Sequence, residues 1–196
     1  MKKLILVRHG ETEENKTNIV QGHKYGTLSD LGKEQAKKVA EKLKSEDIGA
    51  IYSSDLSRAM NTAKEIHKFH NVDLISDEGL RERNLGCFEG GSFDDYNKAA
   101  SEFDNGWIDF CPEGGESKRE VHARLSKVFD RIAAENDRDV VLVSHGGALF
   151  CLMHHLNGEE LGKDSDYWHG NTGVTYLEKD GDKWKVVKFN DMEHLE

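Results

Sequence analysis

Twice in this chain an apolar run stops abruptly at His-Gly: Leu-Ile-Leu-Val-Arg-His-Gly over residues 4–10, and Val-Val-Leu-Val-Ser-His-Gly-Gly over 140–147. Apolar runs without alternation fit strands buried on both faces, as in parallel sheets covered by helices. In open α/β sheets, ligands bind beyond the carboxyl ends of the strands, where neighbouring loops converge. His9 and His145 both stand at that place. The glycine after each is expected to let the backbone turn tightly and approach a ligand closely. Either histidine alone reads equally well as a strand-end residue hydrogen-bonded in a turn; two identical placements favour a shared site.

The rest of the pattern agrees with an α/β chain. Strands are expected at 3–7, 50–53, 72–75 and 140–143, and helices at 29–44, 56–69, 117–136 and 147–156. Ser117 and Glu120 form a capping box, followed by a stripe of Val121, Leu125, Val128, Phe129 and Ile132. Residues 174–177 and 184–189 read as a hairpin around Lys179-Asp180-Gly181-Asp182. Alternating strands and helices imply right-handed crossovers, hence a three-layer αβα sandwich around a mainly parallel, mixed central sheet. A length of 196 residues suits a single domain, 1–196. Residues 86–116 break the alternation, are rich in glycine and hold the only proline, Pro112. They read as a partly helical insertion over one face.

Lys and Arg number 27 against 37 Asp and Glu, a formal charge of −10. That balance argues against nucleic acid or anionic lipid as a general partner, yet a few arginines in a cleft can reverse the potential locally. The apolar run after Met-Lys-Lys is too short for a signal peptide, and no run reaches membrane-spanning length. Three cysteines, Cys87, Cys111 and Cys151, show no CxxC or Cys/His ligand spacing. They point to free thiols in the cytoplasm and to no metal. His67 with His70, and His154 with His155, lack the carboxylates of a metal site and read as ordinary helix residues.

Jointly, four blocks carry a family resemblance. Arg8-His9-Gly10-Glu11-Thr12, with Asn15, Gln21-Gly22, Leu28-Ser29 and Gly32, resembles the opening signature of the histidine phosphatase superfamily, in its phosphoglycerate mutase-like branch. Ser53-Ser54-Asp55-Leu56 with Arg58-Ala59 and Thr62-Ala63 resembles the second block. Leu80-Arg81-Glu82 with Gly86 and Glu89-Gly90 resembles the third, and Val143-Ser144-His145-Gly146-Gly147 the fourth, with Asn171 before the final strand also similar. The blocks run in family order over nearly the whole chain.

The resemblance implies phosphoryl transfer through a covalent phosphohistidine, without metal or cofactor, on a small phosphorylated substrate. His9 would be the nucleophile, neutral because Arg8 and Arg58 disfavour imidazolium. Arg8, Arg58 and His145 would clamp the phosphoryl oxygens, with His145 protonated in the complex. Glu82 would be general acid and then general base. Substrate contact would extend to Asn15, Gln21, Gly22 and Gly146. Asn15, Gln21, Ser54 and Asn171 read equally well as loop-structural. Taken alone, Arg58 on a first helical turn reads as solvated, Glu82 as one exposed carboxylate among many, and His23 as an exposed loop residue.

Family members divide into mutases and phosphatases. From 87 to 116 the chain has one base, Lys98, against Glu89, Asp94, Asp95, Glu102, Asp104, Asp109, Glu113 and Glu116. It also has Phe88, Phe93, Tyr96, Phe103, Trp107 and Phe110 there, read either as the insertion's own core or as a wall favouring a leaving group of low negative charge. A phosphomonoesterase is therefore expected. A cofactor-dependent phosphoglycerate mutase is the alternative, with Lys24, Arg81 and Arg83 as candidate rim bases; a non-catalytic phosphate-binding module and a metal-dependent hydrolase stand further off. A homodimer is compatible with all of these.

Overall fold

The computed structural model describes residues 1–24, 26–104, 106–162 and 166–196. Its strands are β1 (Lys3–Arg8), β2 (Ala50–Ser53), β3 (Asp73–Ser76), β4 (Val140–Ser144), β5 (Val174–Asp180) and β6 (Lys183–Asp191). They form one sheet in the order β3-β2-β4-β1-β5-β6. β3, β2, β4 and β1 run parallel, while β5 joins β1, and β6 joins β5, antiparallel. The two His-Gly strands are immediate neighbours, paired from Leu4 opposite Val140 to Arg8 opposite Ser144. The register therefore delivers His9 and His145 side by side at the carboxyl edge.

Side chains alternate across the strands, so each run feeds both faces. Leu4, Leu6, Val140 and Leu142 pack with Val121 and Leu125 of α5 (Lys118–Glu135) and Leu149 of α6 (Gly146–Asn157). Ile5, Val7, Val141 and Val143 pack with Val39 of α2 (Asp30–Leu43) and Ile66 of α3 (Ser57–His67) on the other face. Helices thus cover both sides, giving three layers around a mixed sheet. Burying each of these aliphatic side chains contributes about 1.5–3 kcal/mol, which explains the lack of a polar alternation in β1 and β4.

Local signals fix the helix starts. The Ser29 Oγ accepts from Gly32 N, and Ser117 with Glu120 closes the expected capping box. A second box, Thr12 with Asn15, caps the short α1 (Glu13–Lys16). β5 and β6 extend further than their apolar residues indicate, leaving Gly181 and Asp182 as the turn, with Gly181 at φ +62.

Residues 86–116 hold a 3-10 turn at Gly86–Phe88 and α4 (Phe93–Ser101). Arg83 ties this segment together: its guanidinium donates to Glu116 O (2.6 Å), Tyr96 Oη (2.7 Å) and Phe110 O (2.5 Å). Rings of Phe88, Phe93, Tyr96, Phe103 and Phe110 contact one another edge-on or tilted, so the segment does have a small aromatic core. Among the described residues, no helix is long and apolar enough to cross a membrane.

Candidate active site

A cavity of about 700 Å³ opens at the carboxyl ends of β1 and β4, lined on its floor by Arg8, His9, Arg58, Glu82 and Gly146. Asn15, Gln21, Gly22 and Gly147 complete the polar side, and Phe93, Tyr96, Phe103 and Trp107 from the 86–116 segment form the opposite wall. Those aromatics are therefore both a local core and a cavity wall.

The His9 and His145 ring centroids lie 5.1 Å apart, tilted by 59°. His9 Nδ1 sits 2.7 Å from Gly10 O, and a carbonyl can only accept, so Nδ1 carries the proton and Nε2 keeps its lone pair. Burial pushes the His9 imidazole well below the usual histidine range, and the Arg58 and Arg8 guanidiniums push the same way. The ring is neutral, as a nitrogen nucleophile must be.

Arg58 is almost fully buried despite its place on the first turn of α3. Its Nε donates to His145 Nδ1 (3.1 Å) and its Nη2 to Gly22 O (2.8 Å). Burial lowers its pKa to about 10, which leaves it cationic at neutral pH. Arg8 donates through Nη1 to His169 O (2.6 Å), while its Nε is buried without a partner. Orphan buried donors are costly, so this one is a local cost of the site's construction.

His145 is bound through both ring nitrogens. Its Nδ1 accepts from Arg58, so the proton sits on Nε2, 2.9 Å from Ser54 Oγ. Burial, then Arg58 and His9, push its pKa well below the usual range. In this arrangement His145 is a neutral N–H donor. A second proton would have to displace the Arg58 contact.

Glu82 Oε2 accepts from Gly147 N (3.0 Å), in the first turn of α6, and Oε1 from Arg83 N (2.8 Å). The carboxylate approaches Gly147 so closely that a Cβ there would lie 2.7 Å from Oε1. Gly10 and Gly146 follow the two strand-end histidines. Neither has a positive φ. Gly10 is required because a Cβ would sit 2.5 Å from Gly32 O, whereas a Cβ at Gly146 would only touch Arg8 Nε at 3.5 Å. Gly22 does need its left-handed φ of +54.

Asn171 Nδ2 donates to His9 O (3.1 Å) and Asn15 Oδ1 accepts from Thr12 N (3.1 Å), loop-bracing roles for both. Gln21 is buried in the cavity lining, with its amide oxygen unpartnered. His23 is part-buried, its Nε2 donating to Glu82 O (2.7 Å). Of the expected rim bases, Arg83 lines the cavity with its guanidinium held by the insertion, whereas Arg81, paired with Asp55 and Glu78, and Lys24 lie outside the lining.

Two contributors were not evident in the residue pattern. Arg124 on α5 grips Glu116 through Nε and Nη2 (3.0 and 2.9 Å) and donates to Gly79 O, Arg81 O and Glu82 O, bracing the strand-to-loop segment that carries Glu82. Its place on the same helix as the Ser117 capping box is the only sequence hint for it. Lys118 is buried in the cavity wall.

Residues 4–192 match the histidine phosphatase superfamily (branch 1). The chain belongs to this superfamily. It is 34% identical over 203 residues to the phosphoglycerate mutase-like protein 4 of Arabidopsis thaliana, covering 99% of this chain and 87% of that protein. It is 36% identical over 179 residues to the glucosyl-3-phosphoglycerate phosphatase of Mycolicibacterium vanbaalenii, covering 86% and 78%. The crystal structure of the Entamoeba histolytica phosphoserine phosphatase in complex with 3-phosphoglyceric acid superposes with a TM-score of 0.86 at 30% identity, covering 100% of both chains. Phosphatase names among such relatives make this histidine phosphatase a hydrolase. Among the described residues, no group of three or more His, Cys, Asp or Glu could hold a metal ion.

Proposed function

We propose that this histidine phosphatase hydrolyses small phosphomonoesters through a phosphohistidine on His9, with Glu82 moving the protons. The observation that carries the reading is the tautomer of His9: Gly10 O fixes the proton on Nδ1 and leaves Nε2 as a neutral nucleophile beside two guanidiniums. In the first step Nε2 attacks phosphorus, the bond to the leaving oxygen breaks, and the Glu82 carboxyl gives that oxygen its proton. In the second, Glu82 takes a proton from water, the water oxygen bonds to phosphorus, and the P–N bond breaks. Ester and water become alcohol and inorganic phosphate, with His9 and Glu82 restored.

Arg8 and Arg58 supply the positive field for the equatorial oxygens, and His145, its Nε2–H donated to Ser54 Oγ, holds the Arg58 guanidinium in place. For a loose transition state, that field accounts for most of the rate enhancement. Gln21 and the Gly146 and Gly147 backbone at the start of α6 border the same volume. The three cysteines are free, which supports a cytosolic setting.

The test is phosphate release from a panel of monoesters by the wild type and His9→Ala, with acid-labile, base-stable phosphoprotein trapped on rapid quench. Undiminished hydrolysis by His9→Ala would exclude the mechanism. Mutase chemistry is separated by assaying phosphoglycerate interconversion with bisphosphoglycerate; turnover well above hydrolysis would overturn the phosphatase reading.

A further inference from the structure

Lys118 follows the N-cap of α5, and its side chain reaches into the wall of the catalytic cavity. The residue is 6% exposed. Its Nζ lies 2.9 Å from the Trp107 ring centroid, 4.9 Å from that of Phe150 and 5.1 Å from that of Trp168. Its main chain is fixed on two sides, N donating to Ile108 O (3.1 Å) and O accepting from Cys151 Sγ (3.7 Å). Among the described residues, no carboxylate pairs with Nζ, although nearly every other buried or half-buried base here has an oxygen partner.

That placement is unfavourable three times over. Burial strips the ammonium of water, the first turn of a helix repels a cation, and cation–π contact returns only part of the loss. An ammonium kept in such a cage is short of one thing, an anionic oxygen. The cavity it lines is open and shared with His9 and Glu82, so a bound ester can bring that oxygen.

We propose that Lys118 is a specificity-determining residue: its ammonium binds a carboxylate on the leaving group, so that the enzyme prefers small phosphorylated carboxylic acids to esters with uncharged tails. This rests on the phosphatase reading. The Trp107, Phe150 and Trp168 rings set the depth of the subsite and exclude water from the ion pair. The acidity of 86–116 does not oppose a negatively charged leaving group, because the cation facing the cavity comes from the next element.

Burial lowers the Lys118 ammonium to about 7, so the preference is pH-dependent. Cys151 on α6, Arg83 and Glu82 are the charged or titratable groups that act on it, and Tyr96 and Asp104 of the insertion line the same cavity. A bound carboxylate raises the pKa of the ammonium; without its proton the subsite is lost.

Phosphoserine and phosphoethanolamine differ by one carboxylate and form the test pair. We expect the wild type to favour phosphoserine in kcat/KM, with that ratio falling about ten- to a hundredfold in Lys118→Met, the usual loss for a hydrogen bond to a charged group. The loss should lie mainly in KM, Lys118→Arg should recover part of it, and the wild-type ratio should decline above neutral pH. A ratio that moves less than about twofold in both Lys118→Met and Lys118→Gln overturns the subsite, as does a wild-type preference for phosphoethanolamine. If neither ester is hydrolysed, calorimetric binding of both to the wild type and Lys118→Met separates the readings. Carboxylate-dependent affinity lost on substitution supports the subsite while the phosphatase reading falls. Equal affinity for the two esters overturns the subsite.

Discussion

Arg58 Nε donates to His145 Nδ1 across 3.1 Å, in a region where both side chains are excluded from solvent. One bond therefore does three things. It orients the guanidinium towards the oxyanion volume, fixes the Nε2–H tautomer of His145, and keeps that ring neutral by placing a permanent cation on its other nitrogen.

Arg58→Lys keeps a charge but removes the planar fork and the bond to Nδ1. We expect kcat/KM to fall about 10²- to 10³-fold, the usual cost of one oxyanion donor. Nitrogen NMR should show His145 exchanging between tautomers. Near-normal activity in this variant would remove Arg58 from the proposed clamp.

Acidification should destabilise the fold through His9 and His145. Their folded pKa values lie well below the unfolded value of about 6.5. Between those two values the unfolded chain binds more protons, so stability rises with pH up to about 6.5 and is lost below it, at roughly 1.4 kcal/mol per pH unit for each ring. Denaturant titrations from pH 7 down to pH 5 read this slope. His9→Asn should reduce it by about one proton; an unchanged slope would mean that His9 is charged in the folded protein.

Gly147→Ala tests the position of Glu82. The new Cβ would lie 2.7 Å from Glu82 Oε1, so the carboxylate must move, while alanine suits an α6 first turn. A drop in kcat of about 10- to 100-fold with thermal stability nearly unchanged is the expected outcome. Steady-state kinetics with a melting curve separate the two effects, and full activity would show that this contact is dispensable.

Arg124→Met removes the brace behind Glu82. It removes the guanidinium from the half-buried Glu116 carboxylate, which keeps Asn84 N, and from Gly79 O, Arg81 O and Glu82 O, the last of which keeps His23, a loss of about 2–3 kcal/mol, or a Tm lower by roughly 4–10 °C. We expect kcat to fall as well, since the main chain that carries Glu82 is then held at Glu82 O by His23 alone. Calorimetry and initial rates check both; a stable, fully active variant would refute a bracing role.

Much of this architecture is legible in the residues. The apolar runs of β1 and β4 have no polar alternation, so helices have to cover both faces, and the caps at Ser29 and Ser117 set two helix starts. Arg8, His9, Arg58, Glu82 and His145 are recognisable because each sits in a short local pattern. The 86–116 segment is visible as a departure from alternation, and its aromatics serve as both core and wall, two uses that composition does not distinguish.

What stays hidden depends on partners distant in the chain. The charge state of His145 follows from its burial and a guanidinium on α3, and the burial of Arg58 from a helix start folded against Gly22 and Gly26, which no residue count near position 58 reports. Lys118 lies just past the acidic 86–116 stretch, and only packing against Trp107, Phe150 and Trp168 turns a helix-start lysine into a buried cation. Local sequence determines strands, caps and the identity of the reactive groups, because backbone preference and apolar periodicity act over a few residues. Protonation, tautomer and the shape of the leaving-group subsite are decided by the tertiary fold, because desolvation and Coulomb fields come from whatever packs nearby, irrespective of its place in the chain.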